Sequence, residues 1–503
     1  MKYSFKLSLA TVAVSALLTA PVVQATNGYF SIGYGAKARG MGGVGVALPQ
    51  DAIAGATNPA GIAFTGNRID VGLELFQPFR SSTLDARGLD VNAATAGAVP
   101  GQGMRSTVKS GANLFAVPNF GAVMRAGKVL TFGLSAVGAG GMNTRYSTNP
   151  YSSALAPVIG DTSSNNFGVG GQSGFAGMYE LMGGNVAAID ANLAMLYNDP
   201  TVGSTAGVNL AQLIVAPTVA YSINKKNSVG ASLLLGYQRF RAYGLGLFRA
   251  FSADQANLTN VGDDQAFGLG VRVGWTGKVT NELTLGATAA SKIYMQKFKK
   301  YSGLFAEGGA FDIPANFALG LAYKASDKVT LAFDVERILY TGVAAISNPG
   351  PTADEFFNGL TGALTGPSSC GAGGNEACVT KGMGNSNGFG FGWDDMTVYK
   401  LGVDYVYSKQ WTFRGGFNYG KSPIANKENL FNILAPGVVE RQMTLGFTYS
   451  PSRNNEITVG YMHAFRKDQS NVYAGTGGFT GFNYQADIGM SQNSLDVSYA
   501  WKF

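Results

Sequence analysis

Residues 495–503 read Leu-Asp-Val-Ser-Tyr-Ala-Trp-Lys-Phe (LDVSYAWKF), and they alternate without a break. Leu495, Val497, Tyr499, Trp501 and Phe503 fall on one side, Asp496, Ser498, Ala500 and Lys502 on the other. Successive strand side chains point to opposite faces, so this segment makes a strand with one wholly apolar and aromatic face. A strand of a soluble sandwich has the same pattern. A chain that ends on an aromatic residue inside such a strand is the habit of bacterial outer-membrane barrels.

The rest of the chain supplies a wall for that strand. Phe267, Leu269, Val271, Val273 and Trp275 alternate with Gly268, Gly270, Arg272 and Gly274, and Val329, Leu331, Phe333 and Val335 with Thr330, Asp334 and Glu336. The same period runs through Leu401–Tyr407, Trp411–Tyr419 and Met443–Tyr449. Arg272, Asp334 and Glu336 are expected to face a lumen, because a charge at the lipid midplane costs about 2–4 kcal/mol. Polar turn clusters at 127–128, 224–227, 280–282, 326–328, 409–410 and 453–455 mark tight periplasmic connections. Joining strands through them predicts an all-β, antiparallel, transmembrane β-barrel of fourteen strands, with twelve or sixteen as alternatives. Long extracellular connections are expected at about 80–113, 140–207 and 343–395. Within the second, Val186, Ile189, Leu193 and Leu196 share a helical face.

Composition agrees with such a wall. Only 13% of residues are charged, 12% are aromatic and 71 are glycine. No stretch beyond the first twenty-five residues has the 18 consecutive apolar residues of a helical span. Residues 1–25 read as a secretory signal: Lys2 and Lys6 precede the apolar run Leu7–Ala20, and small residues lead to cleavage after Ala25. Removing those two lysines lowers the net charge from +7 to +5, and there is no basic cluster dense enough for nucleic acid. Cys370 and Cys378 lie close together in an exported chain, which favours a disulfide over free thiols.

Arg39-Gly-Met-Gly-Gly-Val-Gly45 contains a G-x-G-x-x-G, but the preceding segment is too glycine-rich for a core strand and Asp51 and Asp70 straddle the place of a ribose-binding acid. No cofactor is therefore expected. The glycines read instead as the compact part of residues 26–66, which form an N-terminal plug, or hatch, ahead of a barrel at 67–503. Ala56-Thr-Asn-Pro-Ala-Gly61, Val117-Pro-Asn119, Trp411-Thr-Phe-Arg-Gly415 followed by Ser422-Pro423, Asn432–Glu440 (NILAPGVVE) and Tyr461-Met-His463 stand in order along the chain. This set, with the terminal aromatic strand, resembles the FadL-type outer-membrane transporters of long-chain fatty acids, which include aromatic-hydrocarbon transporters.

The resemblance implies a hatch-plugged barrel of fourteen strands with an apolar ligand pocket, an outer collecting groove and a kinked third strand opening sideways into the membrane. It places the gate at Asn58, Pro59 and Ala60, near that kink, together with Gly40, Gly42 and Gly43. Gly133, Gly138 and Gly140 are the expected kink points, since strand glycines permit bends. Tyr29, Phe30, Ile32, Met41 and Val44 are candidate pocket lining, with Tyr34 and Val46 beside them. Arg272 and Arg414 are candidates for a carboxylate head group, against the alternative of a structural ion network. The expected function is passive uptake of hydrophobic compounds, foremost long-chain fatty acids, across the bacterial outer membrane. Expected partners are the hydrophobic cargo, outer-membrane lipid, and the barrel-assembly machinery through the C-terminal strand.

Two other classes compete. An outer-membrane lipase needs a general base, and His463 is the single histidine. With two cysteines and one histidine no usual zinc site can be assembled, so no metal is expected and catalysis is not. A general porin would lack the hatch.

Overall fold

The computed structural model describes residues 27–89, 105–151, 153–154, 205–356, 381–477, 480 and 483–503. The signal segment, the helical reading at 186–196 and both cysteines lie outside these residues. No described helix is long and apolar enough to cross a membrane.

One antiparallel sheet contains β1 (Arg68–Asp85), β2 (Arg105–Lys109), β3 (Phe115–Ala126), β4 (Leu130–Asn143), β5 (Gly207–Ser222), β6 (Asn227–Tyr243), β7 (Asp264–Lys278) and β8 (Leu283–Ala290). It continues with β9 (Tyr294–Met295), β10 (Asn316–Lys324), β11 (Val329–Ile338), β12 (Met396–Val406), β13 (Trp411–Gly420), β14 (Arg441–Tyr449), β15 (Asn455–Ala474) and β16 (Asn483–Lys502). β16 pairs with β1 from Arg68↔Lys502 to Asp85↔Gln485, which closes the barrel. The sheet has 16 segments. β2 pairs with the outer end of β1, beyond the stretch that β3 covers, and β9 continues the β8 side of β7. Removing these two prolongations leaves fourteen wall positions, the expected number.

The pleat sorts the side chains as the sequence demands. Leu73, Leu75, Phe267, Leu269, Val271, Val273, Leu495, Val497 and Tyr499 are exposed, forming part of the lipid-facing belt, while Arg68, Asp70, Glu74, Arg272, Asp334 and Asp496 are buried inside. Three strands outrun expectation: β4 runs to Asn143, past the connection expected from residue 140. β1 continues to Asp85, where a connection was expected from residue 80, and β15 runs to Ala474, where one was expected from about 468. These last two extensions carry polar residues, such as Arg80 and Ser82 or Lys467 and Asp468, so the apolar rhythm stops before the strand does.

Candidate functional site

Residues 27–66 fill the lumen. Arg39 is the pivot of their anchorage: its Nε donates to the Gly33 carbonyl (2.9 Å), and its guanidinium meets Glu74 of β1 and Asp496 of β16, the latter at 2.6 Å. Nearby, Lys37 pairs with Glu456 (2.6 Å), which also holds Arg68 and Lys502. The G-x-G-x-x-G loop presses on the adjoining stretch of wall, from β14 to β11. The Gly42 amide donates to Thr444 Oγ1 (2.7 Å), and the Gly45 and Val46 amides donate to Asp334 (2.8 and 3.0 Å). Gly42 and Gly43 have φ of +71° and +85°, and any side chain on them would strike the backbone of β13 or of Ile32. The loop is a wedge between plug and wall.

Asn58-Pro-Ala60 is a helix start. Asn58 is the N-cap of a short 3-10 helix, Pro59–Phe64, with Pro59 in its first turn, the positions these residue types favour. The Asn58 side-chain oxygen accepts from the Ala60 amide (3.1 Å), while its Nδ2 donates to Val46 O, Trp275 O and Thr276 Oγ1 at 2.8–3.1 Å. The motif is thus pinned to β7, where the resemblance implied a position near the kink. Beside it, Asp51 caps the turn at Ala52–Ala56, and burial with Asp70 close by pushes its carboxyl up to about 6.

The kink itself lies in β4, which occupies the third wall position. Its pairing with β5 slips between Gly138 and Gly140, and its pairing with β3 ends at Asn119↔Val137. β3 continues to Phe115 along β1 alone. The two edges meet again around the Ser110↔Tyr146 bridge, where the Gly111 amide also donates to Arg145 O (2.8 Å). Between these points the wall has a side window, flanked by residues 113–118 and 138–144. Gly133 lies lower on β4, facing Ile62 of the plug. β4 and β5 bend inward behind β3, so the lumenal Val117 clusters with the outward-facing Ala211. The plug fills the place of the missing pairing: Ser31 N donates to Ala139 O (3.3 Å), Gly141 N to Tyr29 O (3.2 Å), and Phe30 bridges Gly140.

Above the plug lie two cavities in series. The outer one, about 470 Å³, is lined by Phe240, Phe248, Phe305, Phe389, Phe391 and Phe431 with other apolar residues. The inner one, about 300 Å³, lies between β1 and the end of β4 and is lined by Tyr29, Phe76, Arg80, Met142, Trp393 and Met490 among others. Segment 431–437 separates them: Phe431 and Leu434 line the first, Ala435, Pro436 and Gly437 the second. Thr144 Oγ1 and Tyr146 Oη donate to Leu434 O and Ile433 O (both 2.7 Å), tying this partition to the chain leaving β4.

The other candidate residues divide. Tyr29 lines the inner cavity, Ile32 packs in the main core, and Met41 and Val44 pack on Ala322 and Ala332 of the wall. Arg414 is engaged by Asp404 (2.9 Å), Gln50 (3.0 Å) and Thr448 (2.6 Å), a structural network. Arg272 lines a third, polar cavity with Phe30, Tyr34, Asp334, Glu336 and Lys400, between plug and wall. Sequence reasoning passed over Arg80 and Trp393. Extending the inward phase of Glu74 and Phe76 by two more even positions would have put Arg80 in the lumen; Trp393 lies in an aperiodic connection that carries no such signal.

Residues 182–503 match the model of the outer membrane protein transport proteins (OMPP1/FadL/TodX), and the chain belongs to that family of bacterial outer-membrane transporters of hydrophobic compounds. No curated protein sequence matches. Among solved structures, the Pseudomonas putida toluene transporter TodX aligns with a TM-score of 0.58 at 17% identity, over 95% of this chain and 100% of that one. A Pseudomonas aeruginosa FadL homologue gives 0.58 at 14% identity, over 95% and 100%, and the Ralstonia pickettii toluene transporter TbuX 0.51 at 17%, over 94% and 99%. These likenesses are likenesses of fold.

Proposed function

We propose that the protein takes up long-chain fatty acids passively, by way of the two cavities and the side window, with release into the outer-membrane bilayer. The observation that carries this reading is the serial arrangement: an apolar cavity, a partition, a second cavity, then the gap in the wall between β3 and β4. Each methylene moved from water into such a cavity gains about 0.8 kcal/mol, so the cargo descends in free energy without a nucleotide or ion gradient. The moving part of the gate is Tyr29–Ser31, which holds β4 by short backbone pairing, whereas Asn58–Ala60 and Gly40–Gly43 are fixed to the wall.

Aromatic hydrocarbons are the second reading, favoured by the phenylalanine lining of the outer cavity and by the toluene transporters among the similar folds. Catalysis has no support at His463, whose Nδ1 lies 2.8 Å from Asn493 Oδ1 and whose ring packs edge-on against Phe465. The aromatic outer face of β16 suits recognition by the assembly machinery and contact with lipid.

The test is uptake of labelled oleate and labelled toluene by cells lacking their own transporter, with and without this protein, alongside conductance in planar bilayers. Accumulation of either compound with low conductance is expected. Strong ohmic conductance without accumulation of either would make the protein a porin and overturn the reading.

A further inference from the structure

The outward face of β6 changes character at one height. Rising from the periplasmic end, Val229, Leu233 and Leu235 are exposed, and Tyr237 packs against Phe267 of β7 with 5.3 Å between ring centroids. The next two outward positions are Arg239 and Arg241. The pleat fixes their direction, because Phe240 between them is buried and lines the outer cavity. The rise from Val229 to Tyr237, at about 3.3 Å per residue along a tilted strand, covers most of an apolar band about 25 Å tall. Tyr237 therefore stands at the aromatic girdle, and both guanidiniums at the head-group level of the outer leaflet.

No described acid pairs with either arginine. Their neighbours across the ladder are uncharged: Gln265 stands opposite Arg239 and Asn209 opposite Arg241. The rim beside them adds the exposed Lys299 and Lys300. The Lys300 amide donates to Asp264 (2.9 Å), which also accepts from the Gln265 amide (2.9 Å). Set against these four cations, the same stretch of rim carries Asp263 and Asp264, which leaves positive charge in excess. Cations placed directly above an apolar surface attract anionic head groups. Arginine suits phosphate best, since its fork gives two parallel charge-assisted hydrogen bonds while its stem lies on apolar surface.

We propose that the outer end of β6 and β7 is a docking surface for the phosphorylated glycolipid of the outer leaflet, lipid A. Its phosphates meet Arg239 and Arg241, and its acyl chains lie along Leu233, Leu235, Phe267 and Leu269. Charge complementarity names this occupant: a diglucosamine bearing phosphates and several chains offers anion and hydrocarbon at the two heights where the surface offers cation and hydrocarbon. The inference goes beyond the uptake reading and does not depend on it.

The experiment titrates two probes into the detergent-solubilised full chain, lipid A with both phosphates and the same lipid A with both removed, and counts bound lipid by native mass spectrometry. The double variant Arg239→Gln/Arg241→Gln is expected to weaken binding of phosphorylated lipid A at least about fivefold and to leave the dephosphorylated form within about twofold. Any smaller loss overturns the site. Lys225→Gln/Lys226→Gln removes the same charge from the exposed turn at the other end of β6 and is expected to change nothing. An equal loss there would show attraction by net charge alone and overturn the site. Excess inorganic phosphate is expected not to displace the lipid; displacement would make this a free-anion site and overturn the lipid reading. Folding of each variant is checked by heat-modifiable gel mobility. If the arginine variant does not fold, wild type decides: a preference of at least about fivefold for the phosphorylated form supports the site, and a smaller one overturns it.

Discussion

Val117, on the lumenal face of β3, packs against Ala211, on the outward face of β5. An inner face meets an outer face because β4 and β5 have slipped inside the wall above Asn119↔Val137. The gap this leaves is sealed from within by Phe30 on Gly140. A side chain at Gly140 would collide with the Tyr29 carbonyl and with Gln212. Gly140→Val is therefore expected to lift Tyr29–Ser31 from β4 and raise both bilayer conductance and entry of a bulky hydrophobic dye, with the barrel still folded. Conductance and dye entry equal to wild type would show that this contact is not the seal.

Asp334 holds two backbone donors of the glycine loop. Asp334→Ala leaves both buried and unpaired, at about 1–3 kcal/mol each. The midpoint of denaturant unfolding should fall markedly, and Asp334→Asn, which keeps an acceptor, should recover part of it. An unchanged midpoint in the alanine variant would mean that the wedge is held by packing alone.

Phe240 stands in a cluster of rings, 4.7 Å from both Tyr301 and Phe305 between centroids, at the edge of the outer cavity. Phe240→Ala should weaken binding of a single-ring hydrocarbon about tenfold, the worth of one aromatic contact. Longer, flexible chains should lose less. Calorimetric titration with toluene and dodecanol reads the difference; equal losses for both would place toluene elsewhere.

Glu428, in the extracellular connection beside segment 431–437, accepts from the Gly350 amide (2.8 Å), and burial raises its carboxyl above the usual range. A raised folded-state value means that the folded form holds its proton longer than the unfolded chain does. Stability from this group is greatest in acid and declines as pH rises from the ordinary carboxylate value through the raised one. Glu428→Gln should thus protect at neutral pH and make little difference in acid. Thermal unfolding across that range checks it, and a variant less stable than wild type at neutral pH would refute the sign.

The wall was legible because its signal is repetitive: a period of two, repeated around fourteen positions and punctuated by turns. β1 grew longer than expected where polar residues such as Arg80 and Ser82 face inward above the lipid belt. The outer cavity was much less legible. Phe248, Phe305, Phe389 and Phe431 come from connections, where spacing carries no period, and meet only through tertiary packing. Asn58-Pro-Ala60 was conspicuous as a motif, yet its visible job is to cap a helix and fasten it to β7. The motif marked a fixed point, while the contact at the window is made by the plain stretch Tyr29-Phe-Ser31.

Thr144 and Tyr146 stand at the window's edge, and the same two side chains hold the partition between the cavities. The arrangement is that of an airlock whose two doors hang on one post. A displacement of that post at the window's edge is therefore passed, through two hydrogen bonds, to the partition between the cavities.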